Sequence, residues 1–302
     1  MDVSEYKRRT LEALDAAAAA DQEEGVVGDP EATLFDTQAS LAERLTAVEA
    51  VGRRASESPA LIDRLIELAG DRAAPTALRV RTLDVLQALA FQVTIFAPHR
   101  PRYHEMLRAM VDDPDLTLRR RALATLARYG DPFARDRLVE GLEHPSRALV
   151  PAAKAIQYLG YDIHGLDTRT IRLLRGIAQH PPTQAAQREA VRLLAADPGS
   201  KALLTRLLND KSQPADVRRM SALALQSLAP SSFEKAARKI TLDTTDDDRL
   251  RATTLGALAR HGTPETSTRK GTFTRQVEAL DTTASSAQLR RASKSFVERR
   301  AR

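Results

Sequence analysis

Carboxylates, imidazoles and guanidiniums are the groups in this chain able to do chemistry, and their positions decide which chemistry is open. Acids cluster as Asp112-Asp113 and as Asp246-Asp247-Asp248. Paired carboxylates turned into a cleft can share acid–base work or hold a cation. Both clusters fall instead in turns. The triplet before Leu250 reads as a helix cap, where an acid meets the positive end of the helix dipole. The histidines are His99, His104, His144, His164, His180 and His261. His144, His180 and His261 fall near expected helix ends or turns, where a ring beside the last carbonyls needs no further role. His99 and His104 share a segment without an evident third ligand. Cysteine is absent, which removes thiolate nucleophiles, disulfides and zinc–thiolate sites. The sequence also holds no Gly-x-Gly-x-x-Gly, no Gly-x-x-x-x-Gly-Lys-Ser/Thr, no Gly-x-Ser-x-Gly and no His-Glu-x-x-His. No catalytic residue, metal ligand or cofactor is expected.

The arginines recur. Leu78-Arg79-Val80-Arg81-Thr82-Leu83 returns as Leu118-Arg119-Arg120-Arg121-Ala122-Leu123. It returns again around Val217-Arg218-Arg219-Met220-Ser221-Ala222 and Leu250-Arg251-Ala252-Thr253-Thr254-Leu255. Weaker copies sit at Arg44, Ala152 and Gln187, and successive anchors are 31 to 40 residues apart. A phrase of helical spacing returning at that period marks stacked helix pairs. An Arg at one place in each repeat is expected to pair with an Asp in a neighbouring repeat's turn, here Arg79, Arg119, Arg218 and Arg251. The small residue three places on (Thr82, Ala122, Ala155, Ala190, Ser221, Thr254) would let neighbouring helices approach closely.

Each period holds a second apolar run, such as Leu61, Ile62, Leu65 and Ile66, or Leu203, Leu204, Leu207 and Leu208. Spacings of three and four put one apolar face on each helix. Gly130-Asp131-Pro132, Asp197-Pro198-Gly199 and Ala229-Pro230-Ser231 break first helix from second. Asp113-Pro114, His144-Pro145, Pro181-Pro182 and Gln213-Pro214 separate repeats, and their prolines are expected in the first turn of the next helix. The fold is therefore expected to be all-α, with about seven antiparallel helix pairs. On the Arg phrase and the Asp-Pro turns the chain resembles the HEAT-repeat family, in particular the short HEAT-like repeats of phycobilisome lyases, over roughly residues 38–281. Ala152 and Gln187 depart from the pattern. The resemblance implies a right-handed α-solenoid and says little about function, because the family serves many unrelated tasks.

The whole chain has 302 residues, 42% hydrophobic and 28% charged, with a net charge of +6. That is the balance of a globular protein. No apolar run approaches the roughly 18–20 residues that cross a bilayer. The first residues carry acids where a secretory signal has bases, and a cytoplasmic protein is expected. Residues 1–20 are expected to be a helix and 21–36 an acidic linker. The repeat array is expected over 37–283, and a basic capping helix over 284–302. Residues 1–36 hold three basic residues against ten acids.

Two surfaces stand out. Aromatic residues concentrate at the helix–helix joints of repeats two to four: Phe91, Phe96, Tyr103, Tyr129, Phe133, Tyr158 and Tyr161. With His99, Arg100 and Arg102 they would form a partner-binding rim or else cap the repeat core. The second helices of repeats four to six carry Arg169, Arg172, Arg175 and Lys201, then Arg206, Lys235, Arg238 and Lys239. In the family such helices line the concave face, so these cations would make a basic groove or else an ordinary solvated ridge. The function expected first is a non-enzymatic scaffold that binds a protein partner. The alternative is nucleic-acid binding through the groove, with alkylpurine DNA glycosylase and bilin lyase activities as lesser possibilities that the resemblance implies.

Overall fold

The computed structural model describes residues 28–261 and 271–301. The expected helix 1–20, residues 21–27 of the expected linker, residues 262–270 of the expected repeat array and residue 302 lie outside the described residues. The described elements are all helical. In chain order they are α1 Pro30–Phe35, α2 Leu41–Arg54, α3 Pro59–Gly70, α4 Thr76–Leu89, α5 Val93–Phe96, α6 Arg100–Met110, α7 Leu116–Arg128 and α8 Pro132–Glu143. There follow α9 Ala152–Leu159, α10 Thr168–Gln179, α11 Gln184–Leu194, α12 Lys201–Asn209, α13 Ala215–Leu228, α14 Pro230–Leu242, α15 Asp248–His261, α16 Thr272–Thr283 and α17 Ala287–Ala301. Part of the expected linker is thus helical. Asp29 accepts the Glu31 amide and Pro30 opens the turn, which is enough to start α1.

The chain divides into two compact units, Met1–Ala122 and Leu123–Arg302. In the first, α2 packs on α1 and α4, and α3 packs on α4 and α6. In the second, the first helices of successive repeats stack as one layer, α9 on α11, α11 on α13, α13 on α15 and α15 on α17. Their second helices meet as α8 with α10, α12 with α14 and α14 with α16. This is a helical-repeat arrangement. The small residues Thr82, Ala122, Ala155, Ala190, Ser221 and Thr254 are all buried.

The helix ends follow local chemistry. Ser40 and Glu43 form a reciprocal capping box at α2. Asp131, Asp167, Thr183 and Asp247 accept the first free amides of α8, α10, α11 and α15. Only Asp247 of the acidic triplet is such a cap, since Asp246 and Asp248 each take an arginine. The prolines are exchanged relative to expectation. Pro59, Pro132 and Pro230, within repeats, open the first turns of α3, α8 and α14. Pro214 stands one step earlier, as the cap residue of α13.

The recurrent arginine does two jobs. Its Nε donates to a carbonyl ten residues back, in the last turn of the preceding helix: Arg44 to Leu34 (3.0 Å), Arg79 to Ala69 (3.0 Å), Arg218 to Leu208 (2.9 Å) and Arg251 to Thr241 (3.1 Å). Helix-terminal carbonyls have no partner of their own, so this satisfies one in each repeat. Gln187 does the same through Nε2 to Ala178 O (3.0 Å). Eight residues before each of the four arginines stands an Asp: Asp36, Asp71, Asp210 and Asp243. Each ends its helix in extended conformation and accepts the amide two residues on.

The guanidinium then reaches forward. Arg79 donates to Asp113 at 2.6 Å, and Arg218 holds Asp246 with two bonds of 2.6 and 2.7 Å. The expected inter-repeat pairing is thus present at these two. Arg251 pairs instead with Asp248 on its own helix, and Arg119 forms no such pair. Burial pushes the Asp246 carboxyl up. The bonds from Arg218 and from the Asp247 amide outweigh that and hold it below the usual carboxylate range.

Breaking a buried pair strands a charge, so R218M is expected to cost about 3–5 kcal/mol in urea unfolding at neutral pH. The lowered Asp246 contributes stability that is present above its unfolded value, about pH 4, and lost as pH falls through its folded one. The wild-type urea midpoint should therefore fall below about pH 4, and the gap between wild type and R218M should narrow there.

Candidate functional site

The long joint of repeat two folds its rings inward. Helices α5 and α6 put Phe96, His99 and Tyr103 at spacings of three and four, one face of a helical path. All three are buried. Phe96 meets Tyr103 edge-on at 5.2 Å, and His99 Nδ1 lies 2.8 Å from Asp63. These rings belong to the core and not to a binding rim. Arg102 pairs with Glu67, and Arg100 is half-buried. What remains outside is apolar: Phe91 is 86% exposed, with Val93 and Ile95 beside it in sequence.

In the second unit Tyr158 is buried, while Tyr161 stacks on it at 5.9 Å with its own ring exposed. Tyr129 and Phe133 are also exposed. One arrangement here escaped the sequence pattern. Asp131, Arg135, Tyr158 and Asp162 line a cavity of about 20 Å³, room for one water-sized molecule. Asp162 accepts the Gly165 amide, and its other oxygen lies where a Gly165 Cβ would stand. Gly130, at φ +66°, leaves room on the other side.

The residues of the expected basic groove fall on α10, α12 and α14, and three of the eight are spent on internal ion pairs. Arg169 holds Glu143, and Arg175 holds Asp197 and Ser200. Burial raises Asp197, but the bonds from Ser200 and Arg175 prevail and keep it low. Arg238 pairs with Glu234 at 2.8 Å and lies over the Phe273 ring. Arg206 reaches only the neutral amide of Gln179, at 3.4 Å. Arg172, Lys201, Lys235 and Lys239 are exposed, and among the described residues none has an ion pair. Five cations without an acid thus sit on three second helices. Exposed acids bound them, Asp136 on α8 and Glu278 and Asp281 on α16.

Among the described residues no three of His, Asp and Glu come together so as to hold a metal ion. No single described helix is long and apolar enough to cross a membrane.

Neither a family model nor a curated protein sequence matches the chain. Among solved structures it is similar to human deoxyhypusine hydroxylase in complex with glycerol. The two share 15% identity at a TM-score of 0.35, over 83% of this chain and 99% of that one. That protein is an enzyme, and on this finding the expectation of a non-enzymatic scaffold does not stand. A likeness of this size carries neither that enzyme's activity nor its site to this chain.

The two phenylalanines of the joint should separate cleanly in chemical denaturation. F96A is expected to cost about 3–5 kcal/mol, as for other fully buried rings. F91S should stay within about 0.5 kcal/mol of wild type, as surface changes do.

Proposed function

We propose that the chain is a HEAT-like repeat protein that binds the phosphate backbone of nucleic acid through the second helices of its second unit. The observation behind this reading is the set Arg172, Lys201, Arg206, Lys235 and Lys239, none of which is neutralised by an acid among the described residues. Arg81, Arg102, Arg121 and Arg188 are each paired with an acid of a neighbouring repeat, whereas these five cations on three helices of one layer are left to meet a partner from outside. Packed helices lie about 8–10 Å apart, so the three span about 20 Å, or roughly six base-pair steps. Contacts of this kind carry affinity without base readout. The HEAT-like reading rests on the recurrent arginine and its carbonyl ten residues back.

Labelled duplex titrated in fluorescence anisotropy tests this. Five phosphate contacts predict that log K falls with log salt at a slope of about −4.5. R172E/R206E/K235E, one reversal per helix, should flatten that slope by about 3 and weaken every sequence alike. No binding at low salt, or binding that the triple variant leaves unchanged, would exclude the reading.

A further inference from the structure

We infer that Arg119 is the receptor for a carboxylate-bearing ligand supplied from outside the chain. Arg119 holds the recurrent arginine position of its repeat, and the other repeats show what that position does. In the four that also carry an arginine there, Arg44, Arg79, Arg218 and Arg251, the Nε donates to a carbonyl ten residues back, and in three the guanidinium holds a carboxylate. Arg119 does neither. Its Nε is buried and bonds nothing, its guanidinium has no ion pair, and its side chain is half-buried.

The cause lies in the preceding turn. Where the repeats of Arg44, Arg79, Arg218 and Arg251 have an Asp eight residues before the arginine, this one has Val111, which is fully buried. The turn is built two residues later, by Asp113 accepting the Asp115 amide. Val111 closes α6 onto Arg108 O in a tightened three-residue turn, and no bond forms between Arg119 and the carbonyl of Ala109. The carboxylate Asp113 is already taken by Arg79.

Arg120 beside Arg119 also has a buried, unbonded Nε, and Asp84 is spent on Arg121. The Arg119 side chain is half-buried without a counter-charge, and a bidentate oxyanion is the partner its planar fork fits. The ligand class follows from the repeats themselves, since the same side chain holds a carboxylate fork-on-fork at Arg218.

Thermal unfolding of the full chain tests it, with sodium acetate titrated against sodium chloride at equal ionic strength and sodium phosphate in parallel. Acetate at ten times its dissociation constant should raise the wild-type Tm by about 3 °C. R119M should show no rise, and R119K a smaller one, because an ammonium lacks the fork. Without acetate, R119M should melt no lower than wild type, whereas R79M melts lower. The proposal is overturned if acetate does nothing for wild type, if its effect survives in R119M, or if phosphate acts equally through Arg119. It is overturned as well if R119M is destabilised in chloride alone, since Arg119 would then have an internal partner.

Discussion

One interaction organises this fold, the bond from the arginine Nε to the last turn of the preceding helix. A helix pair leaves bare carbonyls where its second helix stops, and stacking buries them beside the next repeat. The arginine at the start of the following first helix reaches back across that gap and satisfies one of them. Its remaining donors reach forward to the next turn, at Asp113 and Asp246. A single side chain therefore ties three successive turns. Its planar fork makes this possible, and Gln187 reproduces the arrangement with an amide, to Ala178 and Gln213.

The Asp eight residues earlier belongs to the same device. It ends the helix, turns the chain by accepting an amide two residues on, and leaves the carbonyl two residues before it facing the arginine. Where Val111 replaces it, the arginine loses its carbonyl. The repeat tolerates this because Val111 adds apolar burial at the same spot. Repeats are nearly independent units in such folds, so one can drop a polar tie without unravelling its neighbours.

The same economy governs the surface charge. The net charge of +6 suggests a broadly basic protein, yet most arginines near an acid are paired with it across one repeat. Arg64 with Glu31, Arg81 with Glu49, Arg102 with Glu67 and Arg121 with Asp84 are such pairs. Each sits about one period away in sequence. Residual charge collects where no acid among the described residues pairs with the cation, as at Arg172, Lys201, Lys235 and Lys239 on α10, α12 and α14.

The sequence by itself determined the helix pairs, their period, the small residues at their contacts and the arginine pairing at Arg79 and Arg218. These are local or nearest-neighbour properties, and the periodicity of apolar residues encodes them directly. The carbonyl partner was equally legible, as an Asp-to-Arg spacing of eight, but it becomes meaningful only once the helix end and its free carbonyl are seen. Tertiary structure alone decided the rest. Spacing of aromatic residues could not say that Phe96, His99 and Tyr103 turn inward while Phe91 stays out, because a short helix inside the joint sets their directions. Counting cations could not say which are spent, because Glu143 and Asp197 reach Arg169 and Arg175 only through packing. A charge is read from sequence, but its neutralisation depends on distance, and distance belongs to the fold.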